Sequence, residues 1–207
     1  MKTIFRLLIL VLMFTLLGCE GDEYRKLMEP ALKAKLADKN PHPVFDGEEE
    51  PPIPTEKELN DSFLGVDKNK NGIRDDIDIW INRTGKNYNE RMAMRQLARA
   101  DQDFVKAAVE KRESDAERLW NKSEEASYCI AVIFPSGEHK GINRIMRFKL
   151  RTLLASSNKM AVLLIRFGEN ITKTGVNRWG RHEDKYRFCE FKIENQEVVI
   201  KRYIESF

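Results

Sequence analysis

Twelve consecutive residues place oxygen-bearing side chains at the spacing a hard cation needs: Asp67-Lys68-Asn69-Lys70-Asn71-Gly72-Ile73-Arg74-Asp75-Asp76-Ile77-Asp78. Asp67, Asn69, Asn71, Asp75 and Asp78 stand at the first, third, fifth, ninth and twelfth places, with Gly72 at the sixth. In such a loop alternate side chains point inward, glycine permits the sharp reversal, and the backbone carbonyl of Ile73 adds a further oxygen. Asp75 would bind directly or through water, and Asp78 would reach back from the first turn of the helix that follows. The competing reading is an Asn71-Gly72 turn with Asp75 capping a helix, which needs no metal. Five ligand positions and a correctly placed glycine favour the cation.

Two short helices must hold this loop. Thr55 followed three residues later by Glu58 is a capping-box signature, and Leu59 and Phe63 continue at helical spacing until Gly65 can end the helix. After the loop, Asp75 and Asp76 suit a helix N-terminus, and Ile77, Trp80 and Ile81 form an apolar stripe. The loop resembles the calcium loop of EF-hands. It differs at the eighth place, where Arg74 replaces the apolar residue that pairs two such loops, so the resemblance implies an unpaired loop. It is also similar to the calcium repeats of thrombospondin type 3 and related bacterial envelope proteins. The resemblance implies calcium as the cofactor, held by Asp67, Asn69, Asn71, Ile73, Asp75 and Asp78. Three carboxylates and two neutral amides imply an affinity on the order of 10⁻⁴ to 10⁻³ M, suited to stapling helices rather than sensing.

The start of the chain bears on where such a loop would work. Lys2 and Arg6 precede an apolar run over residues 7–14, and Gly18 stands before Cys19, as a signal-peptide cleavage site requires. The segment is short for a membrane-spanning helix and is interrupted by Arg6. Leu16-Leu17-Gly18-Cys19 resembles the lipobox of bacterial lipoproteins. That resemblance implies a diacylglycerol on Cys19, acylation of the new amine, and a chain anchored to a membrane in the cell envelope rather than spanning it. Glu20 in place of aspartate after the cysteine favours the outer membrane by the same resemblance. With Cys19 committed to lipid, Cys129 and Cys189 remain in an oxidising compartment, where a disulfide is the economical reading and two buried thiols the alternative. Closing a loop of about 61 residues would stabilise the fold by roughly 4 kcal/mol.

The fold class read from the rest of the chain is mainly α, a helix-loop-helix with a helical core. Residues 1–18 read as signal peptide and residues 19–54, with six prolines and the acids Glu48, Glu49 and Glu50, as a flexible tether. A short helix over residues 24–36 is compatible with the pattern but is opposed by Pro30. Residues 55–82 form the helix-loop-helix and residues 83–207 the core with a C-terminal element, together one globular domain. Met94, Leu97, Ala98, Phe104, Ala108 and Val109 predict a long amphipathic helix from Glu90. Its continuation past Leu119 and Trp120 reaches Cys129 and stops by Pro135-Ser136-Gly137. A third helical pattern covers residues 142–167, and a polar loop runs to Gly180. The tail, residues 186–193 and 198–204, is compatible with a small C-terminal β-hairpin or a last helix, and the hairpin is preferred.

Charge is uneven: residues 19–138 carry 19 Lys and Arg against 26 Asp and Glu, and residues 139–207 carry 15 against 7. The basic residues are spread out rather than clustered, which speaks against nucleic acid as a partner. His42, His139 and His182 are isolated, and no nucleophile motif or phosphate loop occurs. The expected function is a non-enzymatic envelope adaptor or binding protein, contacting a protein, lipid headgroups or cell-wall polymer. The alternative is an envelope hydrolase with a cleft near His182, Glu183 and Asp184.

Overall fold

A computed structural model describes residues 20–40, 42–60, 64–134 and 182–205. They form six α-helices: α1 (Glu20–Ala37), α2 (Glu56–Asn60), α3 (Asp75–Thr84), α4 (Tyr88–Val109), α5 (Ala116–Ile133) and α6 (Gln196–Ile204). Two strands, β1 (Val44–Phe45) and β2 (Glu48–Glu49), pair antiparallel with Val44 opposite Glu49 and Phe45 opposite Glu48. Short 3-10 turns cover Glu113–Asp115 and His182–Phe188. The mainly helical class holds, and among these residues no helix is long and apolar enough to cross a membrane. The leader with Cys19, the expected helix over residues 142–167 and the loop to Gly180 lie outside the described residues.

The helices start where local chemistry allows. At α2, Thr55 Oγ1 accepts from the Glu58 N–H and Glu58 Oε2 accepts from the Thr55 N–H at 2.8 Å, so the capping box forms. At α4, Asn87 Oδ1 accepts from the Glu90 N–H at 3.0 Å, and Glu90 returns a carboxylate to the Lys86 N–H at 2.9 Å. Helix α5 doubles back along α4, with Asp101 bonded to Ser123, Lys122 reaching Asp103, and the Phe104 and Trp120 rings 6.1 Å apart. Cys129 on α5 is bonded to Cys189, which fastens the C-terminal segment to the helical body.

Two expectations are corrected. Residues 19–54 read as a flexible tether, yet within them α1 packs against α3 and buries Met28 and Ala31. Pro30 is tolerated because it faces outward, where the carbonyl it leaves unpaired can meet water. Pro43, Pro51 and Pro54 are buried too. Proline has no N–H to satisfy, so a run that reads as a spacer can pack as apolar surface.

The acids of this segment are likewise drawn inward. Glu50 is 3 % exposed and accepts from Arg83 at 2.9 and 2.6 Å and from Lys35 at 2.8 Å, while Asp38 accepts from Arg83 at 2.9 Å. Asp46 accepts from Arg91 and Arg95 at 2.7 Å each. Burial would raise the Asp46 carboxyl, but the two guanidinium groups outweigh it and hold the pKa below its ordinary value.

The C-terminal β-hairpin is the second correction, since the segment is a 3-10 turn followed by α6. Asn195, at φ 52°, turns the chain into the helix, and Val199 and Tyr203, four apart, face the core. A strand period would have buried Lys201 beside them, and that side chain is exposed. The extended stretch before α6 is held by side-chain amides of α4. Gln96 donates to the Phe188 carbonyl at 2.7 Å and accepts from the Glu190 N–H, while Asn89 exchanges two such bonds with Glu194.

Candidate metal centre

Residues 67–78 curl into a loop between α2 and the first turn of α3. Lys70 and Gly72 both take left-handed backbone conformations, with φ of 58° and 83°. That curvature turns successive N–H groups inward, so that Asp67 accepts from the Asn71 N–H at 3.1 Å and from the Gly72 N–H at 2.9 Å. Asn71 Oδ1 accepts from the Ile73 N–H at 2.9 Å. Lys68 bonds outward to Glu58, which ties the loop to α2, and that partner leads the causes lowering the Glu58 pKa to about 2.

The structure gathers Asp67, Asn69, Asn71, Asp75 and Asp78 around one loop. Asn71 Nδ2 lies 2.9 Å from Asp78 Oδ2, and Asn69 Nδ2 lies 3.3 Å from the same oxygen. Two amide nitrogens therefore stand at the carboxylate where a cation would stand. Rotating an amide by half a turn exchanges its nitrogen for its oxygen. Two such rotations would convert a pair of donors on Asp78 into oxygens beside it, giving up the bonds that Asn71 Oδ1 accepts from the Ile73 N–H and Asn69 Oδ1 from the Asn71 N–H, an arrangement that a cation between the oxygens would have to offset. Ile73 has its side chain in the core, 1 % exposed, so it can offer only its backbone carbonyl.

Asp75 does not cap α3: the cap position is Arg74, whose side chain makes no capping bond, and Asp75 lies inside the helix. One of its oxygens accepts from the Lys68 N–H at 3.0 Å, and the other is buried without a partner. A wholly buried carboxylate with an orphaned oxygen is costly on its own and suits a site that receives a cation. Burial foremost, then the charges of Asp67 and Asp76, outweigh the Lys68 N–H and push its pKa up from 3.8 to about 6. Among the described residues no three His, Cys, Asp or Glu side chains already converge as a metal cluster. The oxygens that the spacing predicts thus lie in the loop, several of them engaged in hydrogen bonds within it.

No family model, curated protein or solved structure matches this chain. The functional reading therefore rests on the residues themselves.

Residues that spacing did not reveal bound this centre. Arg95 on α4, 2 % exposed, donates to Asp78 at 3.3 Å, Asp46 at 2.7 Å and Asn82 at 2.6 Å. Its only signal in sequence is a cation on the apolar side of α4, beside Met94 and Leu97. Gly65, at φ +67°, lies under Arg74, and a Cβ there would meet its Nε at 2.6 Å. Arg74 in turn bonds Asp76 at 3.0 and 2.8 Å beneath the loop. The side chains of His182, Glu183 and Asp184 lie outside the described residues, as does Cys19.

The raised Asp75 pKa has a definite sign. An acid whose pKa rises on folding adds stability that is whole below 3.8 and is lost as the pH climbs through about 6. Metal-free protein is expected to lose roughly 2–3 kcal/mol over that window from this group. Asp75→Asn should remove the slope and raise the metal-free denaturation midpoint at neutral pH. Equal slopes in both proteins, measured by urea unfolding across the window, would show that another group is responsible.

Proposed function

We propose that this chain is a lipid-anchored protein of the cell envelope, a non-enzymatic adaptor or binding protein whose fold is fastened by calcium. The observation that carries the compartment is the Cys129–Cys189 bond, because disulfides persist in oxidising surroundings and are rare in the cytosol. It agrees with the signal-peptide pattern and with the lipobox at Cys19. Calcium would be held by Asp67, Asn69, Asn71, the Ile73 carbonyl, Asp75 and Asp78. The buried, unpartnered oxygen of Asp75 supports that assignment. The ion supplies charge compensation and a joint between α2 and α3, with no chemistry on a substrate.

The packed α1 changes how an anchored body would sit. Cys19 directly precedes α1, and Met28, the first side chain described as buried, follows nine residues later. At 1.5 Å per helical residue that is about 14 Å. A lipid on Cys19 would hold the folded body close to the bilayer rather than at the end of a long spacer. The surface so presented would meet a protein partner, lipid headgroups or cell-wall polymer near the membrane.

The test is made on protein extracted from membranes. Its intact mass is expected to show residues 1–18 removed and acyl chains on Cys19. Its thermal midpoint is expected to rise at millimolar calcium relative to chelator, with Asp67→Ala abolishing the rise. An unlipidated Cys19 would remove the anchor, and an unchanged midpoint would remove the calcium.

A further inference from the structure

The loop has a neighbour that its own spacing does not include. Glu48, on β2, places Oε2 3.5 Å from Asn71 Nδ2, the same nitrogen that lies 2.9 Å from Asp78 Oδ2. Three other acids between positions 46 and 50 have cationic or ring-nitrogen partners: Asp46 bonds Arg91 and Arg95, Glu49 bonds His42, and Glu50 bonds Arg83 and Lys35. Glu48 is exposed and, among the described residues, has no basic partner. It faces the loop instead.

From this we infer that Glu48 is a further carboxylate ligand of the cation, supplied from outside the helix-loop-helix. The inference rests on the calcium site proposed above, which the buried, unpartnered oxygen of Asp75 supports. The geometry allows it. Two atoms that share one calcium at 2.3–2.6 Å can be at most about 5 Å apart. The Asn71 amide atom that would turn to oxygen is within that limit of both Glu48 and Asp78.

The position of Glu48 is also firm. The hairpin turn at Asp46 and Gly47 has φ of 56° and 89°, the paired left-handed residues of a tight two-residue turn. Asp46 is clamped by two arginines, and the Phe45 ring lies 5.1 Å from the Arg83 guanidinium and 5.9 Å from that of Arg91. A ligand on such a hairpin is held in place before the ion arrives. It raises the carboxylates at the site from three to four and makes the ion a bond between the N-terminal segment and the helical body. Affinity then exceeds that of the twelve-residue loop alone, because binding strength follows the count of charged ligands and the rigidity of the site.

The experiment uses the full chain in detergent, titrated with calcium by calorimetry and with terbium(III), whose luminescence lifetimes in light and heavy water count the coordinated waters. Glu48→Gln is expected to weaken calcium about tenfold and to add one water to bound terbium. Glu49→Gln, an equal charge change on the same strand, should do neither. If Glu48→Gln matches the unaltered chain in affinity and water count while Asp67→Ala loses binding, the site stands and the role of Glu48 is overturned. If the unaltered chain binds neither ion, the calcium site itself fails, and with it this ligand.

Discussion

Replacing Arg95 with methionine is expected to cost about 3–5 kcal/mol, the loss typical of removing one partner from a buried ion pair. Methionine keeps most of the side-chain volume, so the cost is electrostatic rather than a cavity. Arg95 lies between Asp78 of the loop, Asp46 of the hairpin and Asn82 of α3, and it is the group through which three elements share one charge. Without it Asp46 keeps Arg91, Asp78 keeps, among the described residues, the two loop amides, and the Asn82 oxygen loses the guanidinium that holds it. Total stabilities of 5–15 kcal/mol make this a large fraction of what holds a domain folded. The measure is the urea midpoint at unchanged slope, with Lys33→Met as the control. Lys33 pairs with Glu29 on the open face of α1, where an ion pair contributes about 0–1 kcal/mol. A loss of under 1 kcal/mol for Arg95→Met would show that the network is dispensable. On the calcium reading, the ion should recover part of the loss by compensating Asp78.

The paired substitution Cys129→Ala with Cys189→Ala is expected to lower stability by about 4 kcal/mol, the chain-entropy value for a loop of this length. The two cysteines are 60 residues apart in sequence with Cα atoms 4.9 Å apart. The bond joins α5 to the segment that carries Phe188 and Ile193, and the unbridged chain keeps that segment through the amide contacts of Gln96 and Asn89, the ring contacts of Phe188 with Tyr128 and of Phe191 with Tyr88, and the packing of α6. Cys129 is wholly buried, and alanine there also removes sulfur contacts from the core. The check is the denaturation midpoint of the alanine pair against the parent with and without reductant. Reductant should lower the parent toward the variant and leave the variant unchanged. A parent insensitive to reductant under denaturing conditions would mean that the bond is not there.

Features within one helical turn or one loop were legible in the chain. The Thr55–Glu58 box, the stripe of Ile77, Trp80 and Ile81, the amphipathic face of α4 and the curled loop at residues 67–78 all depend on neighbours a few positions apart. The pairing of Cys129 with Cys189 followed from counting once Cys19 was set aside. The tail is ambiguous in sequence because Val198, Val199 and Ile200 fit either a strand or a helix by type. A four-residue period in burial, Val199 with Tyr203, settled it as helix.

The N-terminal segment shows where such reading stops. Prolines and clustered acids describe a spacer only while water is their partner. Here the arginine partners of Glu50, Asp46 and Asp38 are Arg83, Arg91 and Arg95, 33 to 49 residues away, and no local pattern announces a contact over that distance. Residue types alone specify which atoms could hold a cation and which cysteines could join. Folding brings Glu48 to the rim of the loop, buries Asp75 with one oxygen unmet, and sets Arg95 between two carboxylates. Such contacts depend on how distant segments share a low-dielectric interior, which is a property of the packed chain rather than of any stretch within it.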